Sequence, residues 1–329
     1  MQLPLSVLDL SPVGVGTSPS QAIRDSVELA KTAERLGFTR YWVAEHHNMA
    51  NIATSSPEVL IAHVAAVTAR IRVGAGGIMI PNHTPLRVVE IFRTLEALYP
   101  GRIDLGLGRA PGTDPVTAAA LRRSDDPEVN RLLAEILAFE RGDFPERHPF
   151  HQIVPMPSDV PAGKMWMLGS TLAGASIAAQ LGVPYAFAGH FAMRHARDAI
   201  AHYKRNFAPS PALAEPYAML AITAVCGTDD EDARRLAAPL RVAIVKNRTG
   251  RRAPIVSIDE ALAYPFSPEE QAISDEFFQG AVIGGPARVA AGLLQTAREL
   301  GADELMISAL IADLPARQAS LARIAEAMA

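Results

Sequence analysis

The sequence predicts a (β/α)8 TIM barrel of parallel strands with insertions after the fourth and seventh, and three observations carry that prediction. Short apolar runs alternate with longer segments of helical period almost from end to end, eight such runs can be counted, and Ser-Pro, Thr-Pro and glycine signals mark the helix ends. At 329 residues the chain has room for one barrel with insertions or for two ordinary domains. No internal repeat, low-complexity tract or linker divides it, so one domain over residues 1–329 is expected.

The strands are expected near Leu3–Asp9, Tyr41–Glu45, Ile71–Gly77, Ile103–Gly108, Lys164–Leu168, Tyr185–Ala188, Tyr217–Cys226 and Glu304–Ser308. Ser18-Pro19-Ser20-Gln21 sets a cap, a first-turn proline and a reciprocal glutamine before Ile23, Val27, Ala30 and Ala33, and Gly37 stops that helix. Ser56-Pro57 opens a helix from Glu58 to Ala69. Thr84-Pro85 opens another through Val88, Ile91, Leu95 and Leu98, ended by Pro100-Gly101. Residues 111–163 and 247–285 break the rhythm as insertions. The second holds a basic run, Arg248 to Arg252, and the aromatics Tyr264, Phe266, Phe277 and Phe278, which reads as a folded lid or as a disordered surface loop.

Composition narrows the function classes. Hydrophobic residues make up 49% and charged residues 20%, a globular balance, and a net charge of −4 gives no field for holding nucleic acid. The single cysteine, Cys226, excludes an intrachain disulfide and a cysteine-rich metal site and fits a reducing cytoplasm. No window reaches the roughly 18 apolar residues of a membrane span. A soluble cytoplasmic protein is expected.

In a parallel barrel, chemistry gathers at the C-terminal ends of the strands, where the loops converge. The second strand ends in Glu45-His46-His47, a carboxylate with two imidazoles, or else ordinary surface caps. The third contains Gly74, Gly76 and Gly77, which fits close approach of a flat ring to the backbone, or a bulge; Asn82-His83 follows. The fourth ends in Gly108-Arg109, a fixed cation suited to two-point phosphate binding or to a surface ion pair. The fifth gives Gly169-Ser170-Thr171 at the start of a helix, with Gly174 one turn on: an anion-binding N-terminus, or plain helix capping by a hydroxyl. Arg109 on the neighbouring strand favours the anion site.

These residues, in this order and over most of the chain, resemble the bacterial luciferase-like flavin-dependent monooxygenases. The resemblance implies that His46 is the catalytic histidine beside the flavin, that Gly76-Gly77 forms a non-prolyl cis peptide under the ring, and that Arg109 with Gly169, Ser170, Thr171 and Gly174 binds phosphate. Ile283-Gly284-Gly285-Pro286-Ala287-Arg288-Val289 and Glu299-Leu300-Gly301-Ala302-Asp303-Glu304 are similar to the ending of that family. Two departures stand out. Gly108 occupies the place of the reactive cysteine of luciferase itself, which removes support for light emission, and Leu172-Ala173-Gly174 makes the phosphate turn less polar.

The implied function is oxygenation of a small organic carbonyl or similar substrate by reduced FMN and O2, the flavin delivered by a separate reductase, in a homodimer packed through the early barrel helices. His46 would be the general acid/base, Glu45 would orient the histidine pair, and His47 and His83 would meet substrate. No Gly-x-Gly-x-x-Gly fingerprint is present, which argues against a built-in NADH site. Three rivals remain: an oxidoreductase using the deazaflavin F420, a flavin-binding protein without turnover, and a metal-dependent hydrolase drawn from His46-His47 and His148/His151. The last lacks carboxylates at metal spacing, and no metal is expected.

Overall fold

The computed structural model describes residues 3–121 and 128–329. Its strands are β1 (Leu5–Asp9), β2 (Arg40–Val43), β3 (Arg72–Ala75), β4 (Ile78–Met79), β5 (Ile103–Gly108), β6 (Lys164–Gly169), β7 (Tyr185–Phe187), β8 (Ala218–Cys226), β9 (Val282–Gly284) and β10 (Glu304–Ser308). Neighbours pair in parallel from β1 through β2, β3, β5, β6 and β7 to β8, and β10 pairs with both β8 and β1, which closes an eight-stranded barrel. The third strand differs from expectation. It stops at Ala75 and resumes as β4 against β5, and the Gly76–Gly77 peptide between the two pieces is cis. The backbone is pressed inward there: a Cβ on Gly76 would sit 2.8 Å from Leu8, and one on Gly77 would sit 2.7 Å from the Gly106 carbonyl oxygen.

The helices are α1 (Pro19–Arg35), α2 (Pro57–Val67), α3 (Pro85–Leu98), α4 (Pro115–Leu121), α5 (Val129–Arg141), α6 (Leu172–Leu181), α7 (Gly189–Ala192), α8 (Ala196–Arg205), α9 (Asp230–Arg248), α10 (Ile258–Leu262), α11 (Pro268–Phe278), α12 (Pro286–Leu300) and α13 (Leu314–Ala327). Ser18 caps α1 by accepting from the Gln21 amide, but the expected reciprocal bond from the glutamine is not made: the Gln21 side chain donates to Asp25 and accepts from Arg24 instead. Ser56 and Thr84 precede α2 and α3 without a side-chain cap; there the first-turn proline carries the start signal. No helix among the described residues is long and apolar enough to cross a membrane.

Alternation along the strands divides the barrel interior into layers. The lowest is polar. Asp104 accepts from Arg40, Arg72 and the Trp42 indole at 2.8, 2.6 and 3.0 Å, while Glu304 accepts from Arg40, Tyr217 and Ser6. Above it lies an apolar layer of Leu8, Trp42, Trp166, Met219 and Met306, with the two indoles edge to face at 5.2 Å. The top positions are mostly small, Ala44, Gly76, Gly108, Ala188 and Ala221, so the barrel is filled below and hollow at its mouth.

The lower polar layer predicts a stability effect. Asp104→Asn keeps the shape but leaves two guanidinium groups facing a neutral amide, and a loss of about 3 kcal/mol is expected in urea denaturation. An unchanged midpoint would show that Glu304 alone balances the arginines.

Both insertions are folded over their described residues. In the first, Phe139, Phe144, His148 and Phe150 pack as an aromatic knot, and His151 Nδ1 bonds the Phe144 carbonyl at 2.8 Å, so this histidine pair serves packing. The second carries α10 and α11, each opened by a capping box at Ser257 and Ser267, and then β9, which lengthens the sheet beside β8.

Candidate functional site

A cavity of about 880 Å³ opens at the C-terminal ends of the strands. That is near the upper end of small-molecule sites, roughly 300–1,000 Å³, and gives room for a ring cofactor together with a substrate. Its floor is the small-residue layer, and its walls come from the loops after β2, β5, β6 and β7. His46, Gly76, Arg109, Gly169, Ser170 and Thr171 all line it. Glu45, His47, Gly77, His83 and Gly174 do not, and neither does any residue of 247–285. The loop side of the mouth is instead formed by the first insertion, through Gly112 and the start of α5.

At one end, Arg109 faces the turn that opens α6. Arg109 has no carboxylate partner among the described residues, and its charge is felt by the Tyr185 hydroxyl, which lies beneath that turn and donates to the Thr171 carbonyl at 3.2 Å. Thr171 is the N-cap of α6, yet its side chain makes no cap bond, and Ser170 is likewise unbonded within the described residues. Plain capping therefore does not account for these hydroxyls. Gly169 and Gly174 let strand and helix close up: a Cβ on Gly169 would lie 2.9 Å from the Tyr185 hydroxyl, and one on Gly174 would lie 3.1 Å from Gly169. Gly174 thus shapes the turn from behind. A fixed cation, two hydroxyls without a hydrogen bond among the described residues and a helix N-terminus line the same cavity, an arrangement of the kind that suits an anion.

Across the cavity, the Glu45-His46-His47 run separates by parity. His46 continues the inward series Arg40, Trp42, Ala44, whereas Glu45 and His47 point the other way. The structure here corrects the expected wiring. The buried Glu45 carboxylate accepts from His47 Nε2 at 2.9 Å, His83 Nε2 at 2.8 Å, Asn82 Nδ2 at 2.9 Å and the Met79 amide at 2.8 Å. It orients His47 and His83, not His46, and those two imidazoles are held behind the cavity wall because a buried carboxylate needs its donors. His46 is oriented by the first insertion: its Nδ1 lies 3.1 Å from the Gly112 carbonyl oxygen. A carbonyl only accepts, so Nδ1 carries the proton and Nε2 keeps its lone pair. Burial is the main cause of a lowered His46 pKa, which keeps the ring neutral near pH 7. Gly112 is required in this contact, since it has φ +65° and its Cβ would sit 2.8 Å from the Glu45 carbonyl oxygen.

The Glu45 network predicts a pH dependence. Burial alone would raise the Glu45 carboxyl, but hydrogen bonds and charge from His83, with bonds from Asn82 and His47, outweigh it and hold the group below the usual carboxylate range. Burial pulls the His83 imidazole down, and the Glu45 bond and charge outweigh that and leave it raised. The Glu45 contribution is present above the unfolded carboxylate pKa, ~4.3, and is lost as pH falls through the depressed folded value. The His83 contribution is full below the unfolded imidazole pKa, ~6.5, and is lost as pH rises through its raised folded value. Wild type should therefore exceed Glu45→Gln in stability most strongly between these limits, by about 3 kcal/mol in urea denaturation, with the gap closing on either side. A gap constant from pH 4 to 9 would refute the coupling.

Sequence reasoning passed over His190 and Phe191, which line the cavity just after β7, and the residues 128–131 that begin α5. Strand alternation could not mark His190, because β7 ends at Phe187 and the residue lies on α7. The α5 residues lay in an insertion without strand periodicity to place them. Among the described residues no group of three or more His, Cys, Asp or Glu side chains is arranged to hold a metal ion.

Comparison with known proteins identifies the family and the fold. The family described as luciferase-like monooxygenase matches residues 3–304. A luciferase-like monooxygenase of Escherichia coli (strain K12) is 42% identical over 319 residues, covering 95% of this chain and 93% of that protein. The N-acetyl-S-alkylcysteine monooxygenase of Bacillus subtilis (strain 168) is 34% identical over 264 residues, 79% of this chain and 78% of the relative. Among solved structures, apo-MsnO8 superposes with TM-score 0.91 at 36% identity over 99% and 98% of the two chains. Two more distant structures share the fold. The oxygenating constituent of 3,6-diketocamphane monooxygenase from Pseudomonas putida, in complex with FMN, gives TM-score 0.73 at 16% identity over 99% and 97% of the chains. An F420-dependent secondary alcohol dehydrogenase in complex with an F420-acetone adduct gives 0.70 at 14% identity over 100% of each. With a family match that spans nearly the whole barrel, the chain belongs to the luciferase-like monooxygenase family.

Proposed function

We propose that the chain is an FMN-dependent monooxygenase that uses reduced FMN and O2 to oxygenate a small organic substrate, the reduced flavin arriving by diffusion from a separate reductase. The observation that carries this reading is the anion pocket: Arg109 without a carboxylate partner among the described residues, and Ser170 and Thr171 free of capping duty, on the wall of one cavity whose floor is cleared by Gly76 and Gly108. These residues fit a phosphorylated flavin. The phosphate would take Arg109, Ser170, Thr171 and the α6 N-terminus, and the ring would lie against Gly76, with Gly77 and Gly174 shaping the backbone from behind. Bound reduced FMN would supply the two electrons that activate O2.

The chain's own residues do the rest. His46, with its lone pair on Nε2, is the general acid/base, and the Gly112 carbonyl fixes its tautomer. Glu45 is a positioning residue for the loop from Met79 to His83. The apolar layer of Leu8, Trp42 and Met306 excludes water below the reacting centre. The relatives named as monooxygenases support the reaction class, and the FMN complex of a distant neighbour supports the cofactor. We read the chain as a single cytoplasmic domain that dimerises through α2 and α3, where Val59 and Leu98 are 66% and 62% exposed.

The test is turnover under 18O2, with FMN reduced by an added flavin reductase and a panel of cyclic ketones and thioethers. One 18O atom in a product supports the proposal. Turnover on reduced F420 without oxygen would move the chain to hydride transfer, and FMN binding without any product would make it a binding protein.

A further inference from the structure

His190 stands apart from the residues assigned above. Gly189 brings it to the cavity: a Cβ there would lie 2.6 Å from Leu220 and 2.7 Å from the Ala221 carbonyl oxygen, so only glycine lets α7 close against β8 and carry the next side chain inward. The ring is flanked by Phe191, edge to face at 4.7 Å, and lines the cavity with it. Neither ring nitrogen has a hydrogen-bond partner among the described residues.

The two nitrogens differ. Nδ1 is shut away from solvent without a partner, which leaves Nε2 as the nitrogen facing the cavity. A buried unpaired N–H is rarer than a buried unpaired acceptor, so the favoured tautomer puts the proton on Nε2. Burial, with the nearby His46 as a lesser cause, lowers the pKa to about 4, and the ring is uncharged at neutral pH. β2 and β7 are four places apart around the eight-stranded barrel, so His46 and His190 extend opposite sides of its mouth. One presents a lone pair and the other an N–H. The wall around His190 is apolar, from Ala186, Phe187, Ala188, Phe191 and Ala221.

We propose that His190 is the substrate-recognising residue, its Nε2–H donating a hydrogen bond to the carbonyl oxygen of an uncharged, otherwise apolar substrate seated between it and His46. This rests on the reading of the cavity as the flavin and substrate chamber. A single donor in an apolar wall selects an acceptor oxygen and disfavours a charged group, which would be desolvated there without a counter-charge.

The test uses a matched pair of probes, cyclohexanone and methylenecyclohexane, which differ only in carbonyl oxygen against methylene. Binding to the full-length protein, with and without oxidised FMN, is measured by ligand-observed NMR, and FMN affinity is measured by fluorescence quenching. His190→Phe is expected to weaken cyclohexanone binding about five- to tenfold and to leave methylenecyclohexane within about twofold, the scale of one hydrogen bond. His190→Gln, which restores an N–H donor, should recover most of the loss. The 13C carbonyl resonance of bound cyclohexanone should move downfield in wild type and His190→Gln but not in His190→Phe. FMN affinity should be equal in all three, which also shows that the variants are folded. The proposal is overturned if wild type binds no cyclohexanone, if His190→Phe binds it as wild type does, if both probes weaken together, or if FMN affinity falls with the substitution. Should wild type bind cyclohexanone with the expected contrast but no FMN, the flavin reading fails and the His190 assignment stands.

Discussion

Replacing His46 by alanine is expected to lower flavin-dependent oxygenation by about 10²–10⁴-fold, the usual contribution of a positioned general acid/base, while FMN affinity stays within about twofold. The separation follows from where the ring sits. His46 lies on the wall after β2, whereas the proposed anion pocket lies after β5 and β6, so removing the imidazole would leave the proposed phosphate contacts in place. The pH profile provides a second readout. A base must be unprotonated to work, and burial lowers the His46 pKa, so the acidic limb of kcat/KM should lie below that of a free imidazole and vanish in His46→Ala. Gly112→Ala should reproduce part of the kcat loss without touching the ring, because a Cβ there meets the Glu45 carbonyl oxygen and displaces the carbonyl that holds His46. An oxygenation rate unchanged in His46→Ala would leave a flavin-binding protein, or place the acid/base elsewhere.

The barrel was legible because strands and helices have different periods, and proline and glycine mark the junctions at α1, α2 and α3 whether or not a side-chain cap forms. The third strand was overextended because apolar residues continue through Ile78 to Ile80, and nothing in a linear pattern shows that Gly76 and Gly77 leave the ladder against Leu8 and Gly106. At the site, charge type and strand-end position brought out Arg109, Ser170 and His46. What they did not settle was direction. Glu45, His46 and His47 look like one cluster in sequence, yet alternation sends His46 to the cavity and its two neighbours to a separate network with His83. His190 has no such mark, because β7 ends at Phe187 and it is the turn into α7 that brings the ring to the cavity. The first insertion's contact from Gly112 to His46 spans 66 residues and had no local signal at all.

Arg109→Ala should weaken FMN binding by about 3 kcal/mol, roughly 100-fold in Kd, and leave riboflavin binding nearly unchanged. The contrast between the two ligands is the informative part, since they differ only in the phosphate. Among the described residues Arg109 has no carboxylate partner, so the substitution breaks no ion pair described there. Arg109→Lys separates charge from geometry. An ammonium keeps the attraction but not the two-point fork, and an intermediate loss is expected. Ser170→Ala should cost less than either, because the α6 amides and Thr171 would still be available to a bound phosphate. Isothermal titration with both flavins at two salt concentrations checks all of this, and the Arg109 effect should shrink as salt rises. Equal losses for FMN and riboflavin would mean that Arg109 shapes the cavity and does not hold the phosphate, and the assignment of this end of the cavity to an anion would be lost with it.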